Sequence, residues 1–284
     1  MHIDRVGSTR DKLGEGPVWD GRGNALFWID SISRTVHRLD AASGDVWSWG
    51  VPGMIGSLCL CEDGTLIVAL ETGFHRLDLR TGRTELIFDP EADEPRTRFN
   101  DGKTDRQGRF VAGTMVTRKE DRQKPLGALY RLDADLSVHV LDEGIMLSNG
   151  PCFSPDGETL YFSDSTTGLI YAYDYDPDTG DATNRRVHID VGALNEGAGD
   201  GATVDADGNL WVALIRSSEI GVFDPAGKLQ DTFKMPVALP SSVMFGGETL
   251  DELYVTSISD SLNRQAAGEW DGALLKITGL GAKG

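Results

Sequence analysis

Ala206-Asp207-Gly208-Asn209-Leu210-Trp211-Val212, followed ten residues later by Val222-Phe223-Asp224, carries the pattern of the whole chain. An acidic turn with glycine opens a short apolar run at strand spacing, and a second strand phrase closes on another aspartate. The first phrase recurs as Asp20-Gly21-Arg22-Gly23-Asn24-Ala25-Leu26-Phe27-Trp28, Glu62-Asp63-Gly64-Thr65-Leu66-Ile67-Val68 and Asp105-Arg106-Gln107-Gly108-Arg109-Phe110-Val111. It returns in Pro155-Asp156-Gly157-Glu158-Thr159-Leu160-Tyr161 and in the stretch from Gly246-Gly247 to Leu253-Tyr254-Val255. Its partners include His37-Arg38-Leu39-Asp40, His75-Arg76-Leu77-Asp78, Tyr130-Arg131-Leu132-Asp133, Tyr171-Ala172-Tyr173-Asp174 and Leu275-Lys276-Ile277. Self-similarity at a period of about 40 to 50 residues, with several short strands per unit, is the pattern of propeller blades. Six units fill the chain, which predicts an all-β fold, a six-bladed β-propeller forming one domain over residues 1–284.

Composition narrows the partners. The formal net charge is −18 with no basic block, which argues against nucleic acid and anionic membranes, since both need clustered Lys and Arg. No apolar run approaches membrane-spanning length, and Met1-His2-Ile3-Asp4-Arg5 lacks the apolar core of a signal peptide, so a soluble, cytoplasmic protein is expected. The three cysteines are read as small buried hydrophobes: Cys59 and Cys61 share one strand face and are poorly placed to pair, and no Cys-x-x-Cys unit occurs. The five histidines (His2, His37, His75, His139, His188) fall mainly in outer-strand phrases, so a His-rich zinc site is not indicated.

The repeat also locates a site. Ten or eleven residues before the apolar residue of each turn-and-strand phrase stand Glu15, Gly56, Asn100, Asn149, Asp200 and Ser242. Rotation about a propeller axis relates equivalent positions, so these six should ring the mouth of the central channel. Four carry carboxylate or amide oxygens, the donors a hard divalent cation prefers. Ca²⁺, Mg²⁺ or Mn²⁺ suits such a ring best, and Zn²⁺ or Fe²⁺ can occupy one. Taken singly, Asn-Gly and Asp-Gly are also turn formers. The aspartates of the Gly turns and those closing the strand phrases, among them Asp30, Asp40, Asp78 and Asp224, are assigned to turns.

The same residues carry a family likeness. Leu13-Gly14-Glu15-Gly16-Pro17-Val18-Trp19, Arg98-Phe99-Asn100-Asp101-Gly102-Lys103, Gly113-Thr114-Met115 and Leu147-Ser148-Asn149-Gly150 resemble the senescence-marker-protein/gluconolactonase family, which includes regucalcin-like sugar lactonases. Phe162-Ser163-Asp164-Ser165, Asp200-Gly201-Ala202 and Pro240-Ser241-Ser242 extend the resemblance over nearly the whole chain. It implies one divalent cation in the central channel held by Glu15, Asn149 and Asp200, a substrate held by Arg98 and Asn100, and hydrolysis of a sugar (aldono) lactone. One stretch departs: some relatives place an acidic, substrate-touching residue shortly after Gly-Thr-Met, where this chain has Val116-Thr117-Arg118.

On this reading the cation polarises the lactone carbonyl, and Asp200 is the candidate general base that activates water, with cation-bound hydroxide as the competing nucleophile. Arg98 can donate to several sugar oxygens from one planar fork. Ser148, outside any Gly-x-Ser-x-Gly elbow, is read as orienting Asn149, and Asn195-Glu196 as a mouth loop. The loops over residues 89–98 and 117–126 should shape the pocket. The alternatives are a metal-dependent esterase or phosphotriesterase-like hydrolase on the same ring, and a non-catalytic metal-binding propeller.

Overall fold

The computed structural model describes residues 1–284 apart from Arg122, Asn195, Glu196, Gly197 and Leu262. Its strands form six four-stranded antiparallel sheets. Blade 1 comprises Gly14–Asp20, Ala25–Asp30, Thr35–Asp40 and Val46–Gly50, from the innermost strand outward. Blade 2 comprises Ile55–Leu60, Leu66–Leu70, Gly73–Asp78 and Arg83–Phe88, and blade 3 Thr97–Thr104, Phe110–Val116, Gly127–Leu132 and Val138–Ile145. Blade 4 comprises Ser148–Phe153, Thr159–Asp164, Leu169–Tyr175 and Ala182–Asp190, and blade 5 Gly199–Val204, Leu210–Leu214, Glu219–Phe223 and Leu229–Lys234. Blade 6 takes Pro240–Gly246, Glu252–Ser257 and Leu274–Thr278 from the end of the chain, and its outermost strand, His2–Val6, from the beginning. The expected six-bladed propeller is what the chain forms. No described helix is long and apolar enough to cross a membrane.

The second strand of each blade explains why the sequence reads as continuous apolar runs rather than as alternation. Ala25–Asp30 is buried at every position because both sheet faces are covered. Leu26 and Trp28 point toward blade 6 and pack with Tyr254 and Leu274, whereas Phe27 and Ile29 point toward blade 2 and pack with Leu58 and Val68. The period of two repeats around the ring: Ile67 and Ala69 face Phe99 and Phe110 of blade 3, and Leu210 and Val212 face Tyr161 and Ile170 of blade 4. Trp211 and Ala213 turn the other way, to Val243 and Phe245 of blade 6. Each blade boundary is thus a small hydrophobic core, and every fully buried Leu, Ile or Phe contributes about 1.5–3 kcal/mol.

Closure is covalently economical. His2–Val6 pairs antiparallel with Leu274–Thr278, with Ile3 opposite Ile277, so the two ends of the chain share one sheet. That pairing joins the first and last strands of the chain in blade 6 and so closes the ring, with His2–Val6 as the edge strand.

Candidate functional site

All six innermost strands carry a register shift at the ring position. The irregularities fall between Glu15 and Val18, Ile55 and Ser57, Phe99 and Gly102, Asn149 and Cys152, Gly199 and Ala202, and Pro240 and Ser242. A bulge bends a strand and re-aims the side chain beside it. Gly16 and Gly150 adopt φ of 52° and 53°, left-handed conformations that an L-residue takes only with strain. They allow the chain to turn immediately after Glu15 and Asn149, which puts both side chains at the mouth of the channel.

Neighbouring ring positions touch in sequence. A Cβ on Gly56 would stand 2.3 Å from Asn100 O, one on Gly150 2.6 Å from Asp200 O, and one on Gly201 2.0 Å from Ser242 Oγ. Asn100 Nδ2 donates to Asn149 Oδ1 at 2.7 Å and to Ser148 O at 2.8 Å. Ser241 Oγ donates to Gly14 O, joining blade 6 to blade 1. The inner wall is therefore tight enough to demand glycine at Gly56, Gly150 and Gly201.

Glu15, Arg98, Asn100, Asn149 and Asp200 line one cavity of about 400 Å³ at this mouth. Gly56 and Ser242, the remaining ring positions, do not. Burial, the like charges of Asp200 and Asp101, and only partial relief from the Gly16 backbone and Arg98 hold the Glu15 carboxyl well above the usual carboxylate range. Burial and the Asp101 charge do the same for Asp200, with Arg264 and the Gly201 backbone opposing. Among the described residues neither carboxylate has a salt bridge within 4.0 Å. Asn149 directs Nδ2 to Ser165 Oγ at 2.8 Å and keeps one lone pair of Oδ1 free of the bond from Asn100. Two buried carboxylates with no ion pair among the described residues, and an amide oxygen lining the same cavity, are the donor types a hard divalent cation takes. The described residues contain no cluster of three or more His, Cys, Asp or Glu placed to hold a metal ion; the donors here are two carboxylates and amide oxygen.

Arg98 is buried, and its Nη1 donates to Phe99 O at 2.6 Å and to Asn100 Oδ1 at 3.2 Å. Among the described residues its Nε and Nη2 make no hydrogen bond, leaving three N–H donors for a ligand. Burial lowers its pKa to about 10, so it stays cationic at neutral pH. Asn100 spends both Nδ2 hydrogens on blade 4, so its remaining capacity toward a ligand is as an acceptor.

Several supporting residues escaped the sequence reading. Asp30, assigned to a turn, also accepts Lys12 N at 2.8 Å and Leu13 N at 3.2 Å, the two residues that lead into the Glu15 strand. Asp164 repeats this in blade 4, accepting Met146 N at 3.0 Å and Leu147 N at 3.2 Å just ahead of Asn149. Each sits opposite the first residue of its inner strand, Gly14 or Ser148, so these aspartates fix the entry to the site rather than only a local turn. The signal was present as Trp28-Ile29-Asp30-Ser31 and Phe162-Ser163-Asp164-Ser165. Asp40, Asp78 and Asp224 do cap turns, accepting backbone N–H groups two residues on. Ser148 contributes through its carbonyl; its hydroxyl is buried without a partner, so it does not orient the Asn149 side chain. Arg264 and Gln123 also line the cavity from long loops. Val116 borders it, Arg118 does not, and Asn195-Glu196 lies outside the described residues.

Comparison with known proteins shows the family and the fold. Residues 13–259 match the family model described as the SMP-30/Gluconolactonase/LRE-like region. Regucalcin of Gallus gallus is 38% identical over 289 residues, covering 100% of this chain and 96% of that protein. The 6-deoxy-6-sulfogluconolactonase of Pseudomonas putida is 34% identical over 91% of this chain and 87% of its own length. Among solved structures, a calcium-binding regucalcin from Agrobacterium tumefaciens superposes with a TM-score of 0.89 at 28% identity, covering 99% of this chain and 94% of that one.

Proposed function

The chain belongs to the SMP-30/Gluconolactonase/LRE-like family, and from that premise we propose that it hydrolyses a sugar lactone to the corresponding aldonic acid in a divalent-cation-dependent reaction. The observation that carries this reading is the convergence of Glu15, Asn149 and Asp200 with Arg98 and Asn100 on one cavity. Glu15, Asn149 and Asp200 would hold the cation, Ca²⁺ being the first candidate because all donors are oxygen and a calcium-binding relative shares the fold. When bound, it supplies Lewis-acid polarisation of the lactone carbonyl.

The chain's own groups account for the rest. Asp200 takes a proton from a water molecule as the water oxygen bonds to the carbonyl carbon. The bond from that carbon to the ring oxygen then breaks, and the proton passes from Asp200 to the departing oxygen, which becomes a hydroxyl. Water is added across one C–O bond, and the product ionises as an aldonate. Arg98 directs its open Nε and Nη2 donors at sugar oxygens, and Asn100 Oδ1 accepts from a hydroxyl. Both are anchored to the inner wall, so orientation is set before the substrate arrives.

The test is acid release from pentono- and hexonolactones by metal-stripped protein to which Ca²⁺, Mg²⁺, Mn²⁺, Zn²⁺ or Fe²⁺ is restored separately. Turnover should require one of these cations and should fall by about 10²–10⁴-fold in Asp200→Asn, with circular dichroism unchanged. Turnover that survives both metal removal and Asp200→Asn would sink the proposal.

A further inference from the structure

A second cavity, of about 510 Å³, lies against the first and shares Leu13, Arg98, Met115, Ser261 and Asn263 with it. With five residues in a common wall, the two are lobes of one depression. The first lobe alone is near the lower end of the roughly 300–1,000 Å³ range for small-molecule sites, and the two together approach its upper end. A single sugar ring would leave the second lobe to solvent.

The lining of the second lobe selects among extensions. Glu71, Asp89, Glu91 and Glu94 line it, together with Thr72, Thr117, Ile32 and Met54. Each of the three glutamates accepts from at least one protein donor. Glu71 Oε1 accepts Met54 N at 3.0 Å, and Glu91 Oε1 accepts Thr114 Oγ1 at 2.8 Å and Tyr130 OH at 3.0 Å. Glu94 is engaged by Arg96, whose Nε lies 2.7 Å from Oε1. Both Glu94 oxygens are taken by Arg96 and Glu91 Oε2 is buried, whereas among the described residues Glu71 Oε2 accepts no hydrogen bond, which leaves it to a sugar hydroxyl. An anionic extension would meet this acidic wall with Arg98, at the junction, as the one cation among the described residues that line it. Apolar Ile32 and Met54 fit the C–H face of a sugar ring.

We infer that the substrate is an aldonolactone carrying a further uncharged sugar unit, with the lactone ring in the first lobe, the appended sugar in the second, and Arg98 donating at their junction. This rests on the lactonase reading above and adds to it the class of substrate. Arg98 serves both lobes: Nη1 is fixed to the inner wall, and Nε and Nη2 remain available at the boundary.

The experiment compares kcat/KM of the wild-type, cation-loaded protein for three lactones: gluconolactone, a glucosyl gluconolactone, and a gluconolactone whose terminal hydroxyl is replaced by sulfonate. The glucosyl compound should exceed gluconolactone by about tenfold or more, the equivalent of one or two well-made contacts, and the sulfonated one should fall below it. Thr72→Trp, which fills the second lobe from an exposed position, should collapse the ratio of glucosyl to simple lactone toward unity. A glucosyl lactone hydrolysed no better than gluconolactone, or a ratio unmoved by Thr72→Trp in a folded protein, would overturn the inference and leave the lactonase reading standing. Absence of turnover with all three, and with the wider lactone panel, would remove that reading and this inference with it.

Discussion

Asn100 of blade 3 donates from Nδ2 to Oδ1 of Asn149 in blade 4 at 2.7 Å, so a residue proposed to bind substrate also holds one proposed to bind the cation. The second Nδ2 hydrogen goes to Ser148 O at 2.8 Å, which makes the contact a two-point clasp between adjacent inner strands. Arg98 donates to the Oδ1 of the same Asn100, completing a chain from Arg98 through Asn100 to Asn149.

Breaking that chain should therefore affect binding of both ligands. Asn100→Ala is expected to lower kcat/KM for a sugar lactone by about tenfold or more and to weaken cation binding in the same variant. Steady-state kinetics and calorimetric cation titration check this. Loss of lactone affinity with unchanged cation affinity would mean that the clasp does not position Asn149.

Cation binding should be visible as stability. A ligand that binds only the folded chain raises its stability by about 2.7 kcal/mol at a hundredfold excess over its Kd. Glu15 and Asp200, buried with like charges opposed, have the most to gain from it. Thermal melts should show a cation-dependent rise in the wild type that is absent in Glu15→Gln. An equal rise in that variant would place the cation elsewhere.

Asp164 should prove structural and functional at once. Its carboxylate accepts Met146 N, Leu147 N and Thr166 N at 3.0, 3.2 and 3.2 Å, and it is only 1% exposed. Asp164→Ala leaves those donors without their acceptor and is expected to cost about 3 kcal/mol in urea unfolding, with activity falling because the entry to Asn149 is released. Asp156, in an exposed Gly turn, accepts Ser154 Oγ and Glu158 N. Asp156→Ala should cost less than Asp164→Ala; an equal cost would show that burial at Asp164 is not what matters.

The thiols should separate by pH. A hydrogen bond from Cys59, opposed by partial burial and aided by Thr65 and Arg76, lowers the Cys61 pKa to about 6. The same bond and burial push Cys59 up, and burial raises Cys152 to about 12. Above about pH 6 Cys61 is thus mainly thiolate, whereas the other two stay protonated through neutrality. Peptide mapping after iodoacetamide treatment should show Cys61 labelling rise through pH 6, with Cys59 and Cys152 labelled only after unfolding. A rise delayed to pH 8 or beyond would show an ordinary thiol.

Much of this protein could be read from local chemistry. Glycine turns and two-residue alternation repeat along the chain, and each blade buries both faces against its neighbours, so the sixfold architecture is written locally in every unit. Equivalent repeat positions become neighbours about one axis, which is why Glu15, Asn100, Asn149 and Asp200 could be singled out without coordinates. Other features depend on residues far apart in sequence meeting in space. Ile3 pairs with Ile277 because the ring must close, not because either strand signals it. Arg264 acts on Asp200 by its charge from a loop that no repeat position records, and the Asp164 carboxylate reaches the backbone ahead of Asn149 from the neighbouring strand. The second lobe exists only where loops from blades 1, 2, 3 and 6 converge over Arg98. Period and turn chemistry are properties of short segments, whereas cavities and charge environments are sums over distant ones, and these only the tertiary structure decided.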